Sequence, residues 1–190
     1  MSEKLKVLVT GASSGIGRAA AVEFAARGHY VLAAARRAEE LDQLAGESER
    51  IEPVPVDVTD RESVAEALRR VDEVTENYGI DVLVNSAGYA LGGPVEVLSA
   101  DAVAHQFQTN VFGLLDVTRA VLPKMRSRGS GRIVNVSSVV GRVAFPGMGV
   151  YAATKFALEA LSDALRMELA PFGVGVVLVE PVSRLSLIHI

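Results

Sequence analysis

The stretch "KVLVTGASSGIG", residues 6 to 17, joins a short apolar run to a glycine-rich turn and then to the start of a helical pattern. Glycines at 11, 15 and 17 permit a tight turn, close approach of a ligand to the backbone, and close packing of helix on strand. The exposed N-terminus of that helix would offer unpaired N–H groups to a phosphate. A glycine-rich turn without a ligand is the alternative, but the flanking strand and helix favour phosphate binding. The predicted phosphate contacts are Gly11, Ser13, Ser14, Gly15, Ile16 and Gly17.

The rest of the chain alternates short apolar runs with helical stretches, which predicts a parallel sheet covered by helices on both faces. Strands are predicted at 6–10, 30–35, 52–56, 81–86, 132–137 and 175–180, and helices at 16–27, 38–45, 60–78, 100–128 and 150–171. Thr59 and Glu62 fit a capping box at the start of the third helix. We therefore expect an α/β fold, a doubly wound parallel sheet of the Rossmann type, in one domain over residues 1–184.

Composition narrows the classes of function. The chain has 190 residues, 49% of them apolar and 22% charged, as in globular proteins with one core. No apolar run approaches the roughly 18 residues of a membrane span, and no secretory signal follows the N-terminus, so we expect a cytoplasmic protein without membrane contact. The net charge of -4, with scattered basic residues, disfavours nucleic acid. The absence of cysteine and the wide separation of the histidines disfavour a metal site, which leaves a small-molecule partner.

The end of the second predicted strand bears on the choice of dinucleotide. It carries "LAAARRAEE", in which Arg36 and Arg37 directly follow Ala35 and no acid occurs before Glu39. An acid at this point commonly binds the ribose 2'-hydroxyl of NAD, whereas an arginine accommodates the 2'-phosphate of NADP. The sequence therefore predicts NADP, with NADPH preferred over NADH and Arg36 at the phosphate. Arg37 fits either the same role or that of a solvated surface charge.

A second group of polar residues follows the fifth strand. Ser138 falls at the carboxyl edge of the sheet, and "YAATK" places Tyr151 and Lys155 on one face of the last helix. Hydride transfer to a carbonyl leaves an alkoxide that needs a proton, which a tyrosine can donate. We expect the Lys155 ammonium to lower the pKa of Tyr151, and Ser138 to hydrogen-bond the carbonyl oxygen. Ser137 is expected to be structural.

These motifs, in order, resemble the short-chain dehydrogenase/reductase family over essentially the whole chain up to about Glu180. The resemblance rests on "TGASSGIG", Asp57 with Val58, "NSAG" at 85 to 88, Asn110, Ser138 and "YAATK". It implies that Asp57 and Val58 contact the adenine and that Lys155 also binds the nicotinamide ribose. It further implies a homo-oligomer for the full-length protein.

Two further positions carry implied roles from the same resemblance. Asn85, Ala87 and Gly88 of "NSAG" would support the sheet and the adenosine ribose, with Ser86 standing where the family more often has a second asparagine. Asn110 would hold a backbone irregularity and a water that links Lys155 to solvent. The alternative for Asn110 is a polar residue inside a helix, satisfied by backbone.

The C-terminus departs from the family pattern. The family usually has Pro-Gly after the sixth strand, in contact with the nicotinamide end, and here Val182 follows Pro181. We retain Pro181 as a cofactor contact and expect the usual C-terminal strand and helix to be missing. The last residues, "LSLIHI" at 185–190, also match one reading frame of a transposon-end sequencing adapter, which predicts a non-native tail. A genuine short tail is the alternative.

The leading hypothesis is an NADP-dependent oxidoreductase that acts on a carbonyl or secondary alcohol of a small apolar molecule, with Tyr151 as general acid/base. The alternative is a cofactor-binding protein, or an inactive truncated fragment, without turnover. A nucleotide-sugar epimerase or dehydratase is disfavoured because such relatives space their glycines as GxxGxxG. In the loop before the last helix, Arg142, Phe145 and Met148 fit either substrate contact or loop packing.

Overall fold

Strands and helices alternate along the chain in a computed structural model, which describes residues 4–182. The strands are β1 (Lys6–Thr10), β2 (Tyr30–Ala35), β3 (Ile51–Pro55), β4 (Val82–Asn85), β5 (Gly131–Val136) and β6 (Val174–Val179). The helices are α1 (Gly15–Ala26), α2 (Ala38–Ala45), α3 (Arg61–Val74), α4 (Ala100–Phe107), α5 (Leu114–Arg128) and α6 (Gly149–Leu169). Most bounds lie within one or two residues of the predicted ones, because apolar runs and helical periodicity set them locally.

Within the described part of the chain the strands form one parallel sheet in the order β3-β2-β1-β4-β5-β6. The strand order reverses between β1 and β4, where Thr10 pairs with Asn85. Open α/β sheets bind ligands outside the carboxyl ends of the strands at such a reversal. The predicted doubly wound fold is confirmed.

Two apolar clusters cover the two faces of this sheet. Leu8 belongs to the cluster that contains Val121 of α5, whereas Val7 belongs to the one that contains Leu41 of α2. Successive residues of a strand point to opposite faces, so a strand buried on both sides must be apolar throughout. Each fully buried Val or Leu contributes about 1.5–3 kcal/mol by leaving water. The core therefore holds the carboxyl ends of the strands in fixed register.

The predicted helix 100–128 is not continuous. A π-helical turn, Gln108–Gly113, separates α4 from α5. Gly113 packs on the loop after β3, and a Cβ at Gly113 would lie only 2.4 Å from the carbonyl oxygen of Val58. The hydrophobic periodicity of the sequence does not predict this turn. Its extra residue accompanies the tertiary contact between Gly113 and Val58.

The start and end of α3 also differ from the prediction. The capping box of Thr59 and Glu62 is wrong: Asp60 is the N-cap, and its Oδ1 accepts a hydrogen bond from the backbone N–H of Glu62 at 2.8 Å. Thr59 Oγ1 donates instead to Asp57 Oδ1 at 2.7 Å. The helix ends at Val74, not at Tyr78. Glu76 and Asn77 beyond it have φ of 54° and 63°, which a right-handed helix cannot continue through.

No helix among residues 4–182 combines the length and apolar character needed to cross a bilayer. In the same residues, no three Asp, Glu, His or Cys side chains gather closely enough to bind a metal ion.

Candidate active site

The glycine-rich turn between β1 and α1 has two kinds of glycine. A Cβ at Gly11 would lie 2.8 Å from the backbone nitrogen of Ala87, and one at Gly17 would lie 2.4 Å from the carbonyl oxygen of Gly11. These two glycines are required by packing. Gly15 has φ of 56°, which favours glycine, and no described atom lies within 4 Å of where its Cβ would be. The turn is therefore open at Gly15, where a ligand could approach the backbone.

The N-terminus of α1 faces this opening. Ser14 is its N-cap, and the Ser14 side chain makes no capping hydrogen bond to the described backbone. The first N–H groups of α1 thus lack a side-chain cap and carry the positive end of the helix dipole. Ser13 and the half-exposed Ile16 border the same turn. Together the open glycine and the uncapped helix end fit the pyrophosphate of a dinucleotide.

Arg36 and Arg37 lie exposed directly after β2. Arg37 is tied down, since its Nη1 lies 2.9 Å from Glu40 Oε1 and its Nη2 donates to Ser13 Oγ at 3.0 Å. Arg36 forms no ion pair within residues 4–182, although its charge acts on the nearby Asp57. Of the two arginines, Arg36 has the freer guanidinium at this edge of the sheet.

Asp57 and Val58 follow β3. Burial disfavours the Asp57 carboxylate, but hydrogen bonds from the Thr59 hydroxyl and N–H, with the charges of Arg36 and His105, outweigh it and lower the pKa of Asp57. The Val58 side chain is buried in the core. Any adenine contact by Val58 therefore falls to its backbone.

Thr10, at the end of β1, holds the "NSAG" loop. Its Oγ1 accepts hydrogen bonds from the N–H of Ser86 at 3.1 Å and of Ala87 at 3.2 Å, and donates to Val84 O at 3.4 Å. Sequence reasoning did not single out Thr10. The feature of the sequence that could have indicated this role is a hydroxyl residue at the last position of the strand, directly before Gly11.

Asn85 supports the sheet from inside. Its Nδ2 donates to Thr118 Oγ1 of α5 at 3.0 Å and to Asn135 Oδ1 of β5 at 2.9 Å. Asn135 Nδ2 donates in turn to Ser162 Oγ of α6 at 2.9 Å. The side chain of Asn85 thus lies in a buried network and is not directed to a ligand. These hydrogen bonds agree with the expected role of Asn85 in supporting the sheet. The expected contact of Asn85 with the cofactor stays a prediction.

Asn110 is buried in the π-helical turn, so the expected backbone irregularity lies at this residue. Its Nδ2 donates to Tyr89 O at 2.9 Å and Thr154 Oγ1 at 3.1 Å, and its Oδ1 accepts from Tyr89 N–H at 3.1 Å. A Cβ at Gly88 would lie 3.0 Å from Asn110 Oδ1. Asn110 therefore joins the loop after β4 to α6. Its side-chain amide makes hydrogen bonds to the backbone of that loop and to Thr154, and not to the backbone of its own helix.

The predicted reacting groups meet at the carboxyl edge of the sheet. Ser138 follows β5, and its side chain interacts with the hydroxyl of Tyr151 on α6. Lys155 lies one turn further along α6, with its Nζ 5.7 Å from the centre of the Tyr151 ring. That Nζ donates a hydrogen bond to Val136 O at 2.8 Å. A hydroxyl, a phenol and an ammonium thus share one small site.

The expected lowering of the Tyr151 pKa is wrong for this structure. Burial raises the pKa of Tyr151, because the phenolate loses hydration, and the nearby Ser138 hydroxyl offsets only part of that rise. The ammonium of Lys155 is directed to a backbone carbonyl. Burial also lowers the pKa of Lys155 to about 8, although the negative charge of Glu159 opposes this.

The turn after Ser138 is bordered by Pro181, whose carbonyl oxygen accepts a hydrogen bond from Val139 N–H at 3.3 Å. Pro181 therefore lies beside the turn that carries Ser138, and its contact with the nicotinamide stays a prediction. The proposed boundary at residue 184 and the expected tail 185–190 lie outside the described residues.

A model of the short chain dehydrogenase family matches residues 5–184, and the chain belongs to that family. It is 43% identical over 189 residues to the uncharacterized oxidoreductase YusZ of Bacillus subtilis, covering 96% of this chain and 66% of YusZ. It is 45% identical over 177 residues to human retinol dehydrogenase 16, covering 92% of this chain and 55% of that protein. The resemblance drawn from the motifs is thereby confirmed.

The fold is shared with a short-chain dehydrogenase from Streptomyces avermitilis of known crystal structure. The TM-score is 0.90 at 44% identity, over 94% of this chain and 66% of that one. The chain spans about two thirds or less of the length of each of these three relatives. Membership of this family implies a nicotinamide cofactor.

Proposed function

We propose that the chain carries the site of an NADP-dependent oxidoreductase, which transfers hydride between the nicotinamide and a carbonyl or secondary alcohol of a small apolar molecule. The observation that carries this proposal is the meeting of Ser138, Tyr151 and Lys155 beside an open glycine-rich turn. A cofactor seated on the turn would run along the carboxyl edge of the sheet toward those groups.

The bound cofactor would supply or accept the hydride. Around it, the turn from Gly11 to Gly17 would hold the phosphates, Asp57 and Val58 would border the adenine, and Lys155 would bind the nicotinamide ribose. Ala87 and Gly88, whose loop is held by Thr10 and Asn110, would contact the adenosine ribose.

Proton transfer falls to Tyr151. Because burial raises its pKa, the phenol is protonated at neutral pH and can donate a proton to the alkoxide formed on reduction. The Ser138 hydroxyl donates a hydrogen bond to the same oxygen as negative charge develops. Lys155, with a pKa of about 8, is mainly charged at neutral pH, and its charge stabilises the phenolate that results.

Reprotonation of Tyr151 would use the relay through Lys155 and Asn110. The side-chain amide of Asn110 already bonds to Tyr89 and Thr154. A water in this relay would therefore bind the backbone carbonyl of Asn110, within the π-helical turn.

The preference for NADP rests on Arg36. It follows β2 at the edge where the adenosine ribose would lie. Its charge acts on the nearby Asp57, but it forms no ion pair among residues 4–182, whereas Arg37 is paired with Glu40. A guanidinium at this point would bind the 2'-phosphate of NADP and give NAD no matching contact.

An apolar substrate is favoured by exposed apolar side chains in the segment after β4 and in the loop before α6. Val95 is 66% and Phe145 49% exposed. They belong to two loops that meet where Gly93 N–H donates to Gly147 O at 2.7 Å. A named relative, retinol dehydrogenase 16, takes its name from an apolar alcohol. A cytoplasmic location, assembly of the full-length protein as a homo-oligomer and a single domain over residues 1–184 complete the proposal.

A fluorescence titration of the purified chain with NADPH, and separately with NADH, tests this proposal first. Tight NADPH binding with much weaker NADH binding, followed by turnover on a panel of carbonyl compounds, is the expected result. Binding without turnover on any of them would favour a cofactor-binding protein. Failure to bind either nucleotide would refute the cofactor site in this chain.

A further inference from the structure

Glu159 is an acidic residue on the buried face of α6, and the proposed mechanism gives it no role. It lies four residues after Lys155 and eight after Tyr151, so the three share one face of the helix. Glu159 is only 5% exposed. A carboxylate so deeply buried is costly unless opposite charge compensates it, so its neighbours matter.

The contacts of Glu159 lead to the turn that carries Ser138. Arg142 Nη2 lies 2.9 Å from Glu159 Oε2. The contact is an ion pair and not an aligned hydrogen bond, since neither carboxylate oxygen has a hydrogen-bond partner among residues 4–182. A Cβ at Gly141 would lie 3.1 Å from Glu159 Cγ and 3.2 Å from its Oε1. Glu159 therefore packs directly beneath the 3-10 turn Val139–Gly141, whose first hydrogen bond is made by Ser138.

The charges around Glu159 come from three elements. Lys155 and Asp163 lie on α6 itself, Arg142 follows the turn, and Glu180 follows β6. Arg142 is shared, because its Nη2 also lies 3.0 Å from Glu180 Oε1. Arg142 is about half exposed, whereas Lys155 is 8% exposed. Among these groups, the interaction between Glu159 and Lys155 is the one least screened by water.

We propose that Glu159 is a positioning residue, which keeps the Lys155 ammonium charged in its buried place and braces the Ser138 turn through Gly141 and Arg142. The role in turnover rests on the proposed function, but the effect on Lys155 does not. A single carboxylate would thus link both halves of the reacting group, the helix with Tyr151 and Lys155 and the turn with Ser138.

The direct test is the titration of Lys155 in chain labelled with 13C at the lysine ε-carbon. The lysines are Lys4, Lys6, Lys124 and Lys155, and the loss of one signal in Lys155→Arg assigns the resonance. The midpoint should be about 8 in the unaltered chain. Glu159→Gln, which keeps the shape and removes the charge, should lower that midpoint by about one pH unit, the smallest effect usual for an adjacent opposite charge.

Two further variants make the test specific. Glu180→Gln removes the other partner of Arg142 and should leave the Lys155 midpoint nearly unchanged. Glu159→Asp keeps the carboxylate on a shorter side chain and should leave the Lys155 midpoint close to 8, so it tests the proposal even if Glu159→Gln fails to fold. An unchanged midpoint in Glu159→Gln, or a midpoint in Glu159→Asp as low as that expected for Glu159→Gln, would overturn the proposal.

A kinetic measurement separates this proposal from the proposed function. If the chain turns over, Glu159→Gln should move the high-pH limb of kcat to lower pH by the same amount, with little change in KM for NADPH. If the unaltered chain shows no turnover but Lys155 titrates as expected, the proposed function fails and the coupling of Glu159 to Lys155 stands.

Discussion

The ammonium of Lys155 is fastened to the carbonyl oxygen of Val136 by a hydrogen bond of 2.8 Å. This bond joins α6 to the last residue of β5, two positions before Ser138. The helix that carries Tyr151 and the strand that leads to Ser138 are therefore held together by the lysine itself. Lys155 supplies alignment as well as charge.

Replacing Tyr151→Phe should abolish turnover and leave NADPH binding nearly intact, because only the acidic hydroxyl is lost. General acids contribute about 10²–10⁴-fold to rate, so kcat should fall at least that far. Single-turnover absorbance at the nicotinamide band and a parallel binding titration measure the two effects. Retained turnover would refute the assignment of Tyr151 as the acid.

The two directions of the reaction should respond oppositely to pH. Carbonyl reduction needs the protonated phenol, which the raised pKa of Tyr151 preserves at neutral pH, and should decline as Lys155 loses its proton near pH 8. Alcohol oxidation needs the phenolate, so its kcat should start low and rise with pH. Initial rates in both directions from pH 6 to 10 provide the measurement. A reductive rate that increased through pH 8 would contradict this assignment.

Arg36→Ala should reduce the preference for NADPH over NADH by about tenfold or more, the value of a lost charge-assisted contact to phosphate. Affinity for NADH should change little. Arg37→Ala is the matched control, since that arginine is held by Glu40 and Ser13. An equal effect of both substitutions would show that general positive charge, and not Arg36, sets the preference.

Gly11→Ala and Gly15→Ala should fail in different ways. At Gly11 the added Cβ meets the backbone of Ala87 at 2.8 Å in a positive-φ residue, so the whole domain should lose stability. At Gly15 the Cβ meets no described atom beyond its neighbours in the chain, so the cost is limited to about 1–2 kcal/mol of backbone strain while nucleotide binding falls. Thermal unfolding and NADPH titration of both variants distinguish the two. Equal losses of Tm would contradict the distinction.

Thr10→Val should destabilise the chain by about 1–3 kcal/mol, since it leaves the N–H groups of Ser86 and Ala87 without their acceptor. Thr10→Ser keeps the hydroxyl and should recover most of that loss. Chemical denaturation measures both. If the serine variant were no more stable than the valine one, the hydroxyl would not be what holds the loop.

The sequence predicted the sheet, its helices and the positions of the glycine-rich turn and of the pair Tyr151 and Lys155, because these depend on local patterns. A strand, a glycine-rich turn and a helix follow one another in "KVLVTGASSGIG", and Tyr151 and Lys155 are one helical turn apart. The π-helical turn at Asn110 depends instead on Gly113 approaching Val58, which is distant in sequence. No local pattern reports such a contact.

The roles of Thr10 and Glu159 could not be predicted from the sequence for the same reason. Each acts through atoms of another element, the loop after β4 for Thr10 and the turn after β5 for Glu159. The pKa of Tyr151 also depends on burial, which the spacing of Tyr151 and Lys155 does not report.

The close packing of Gly11 on Ala87, together with the two hydrogen bonds to Thr10, makes the glycine-rich turn and the loop after β4 parts of one rigid surface. Two loops that are already held rigidly together would lose little conformational entropy if a dinucleotide bound across them. The association rate at this half of the site should therefore approach that of a simple encounter, without a slow rearrangement.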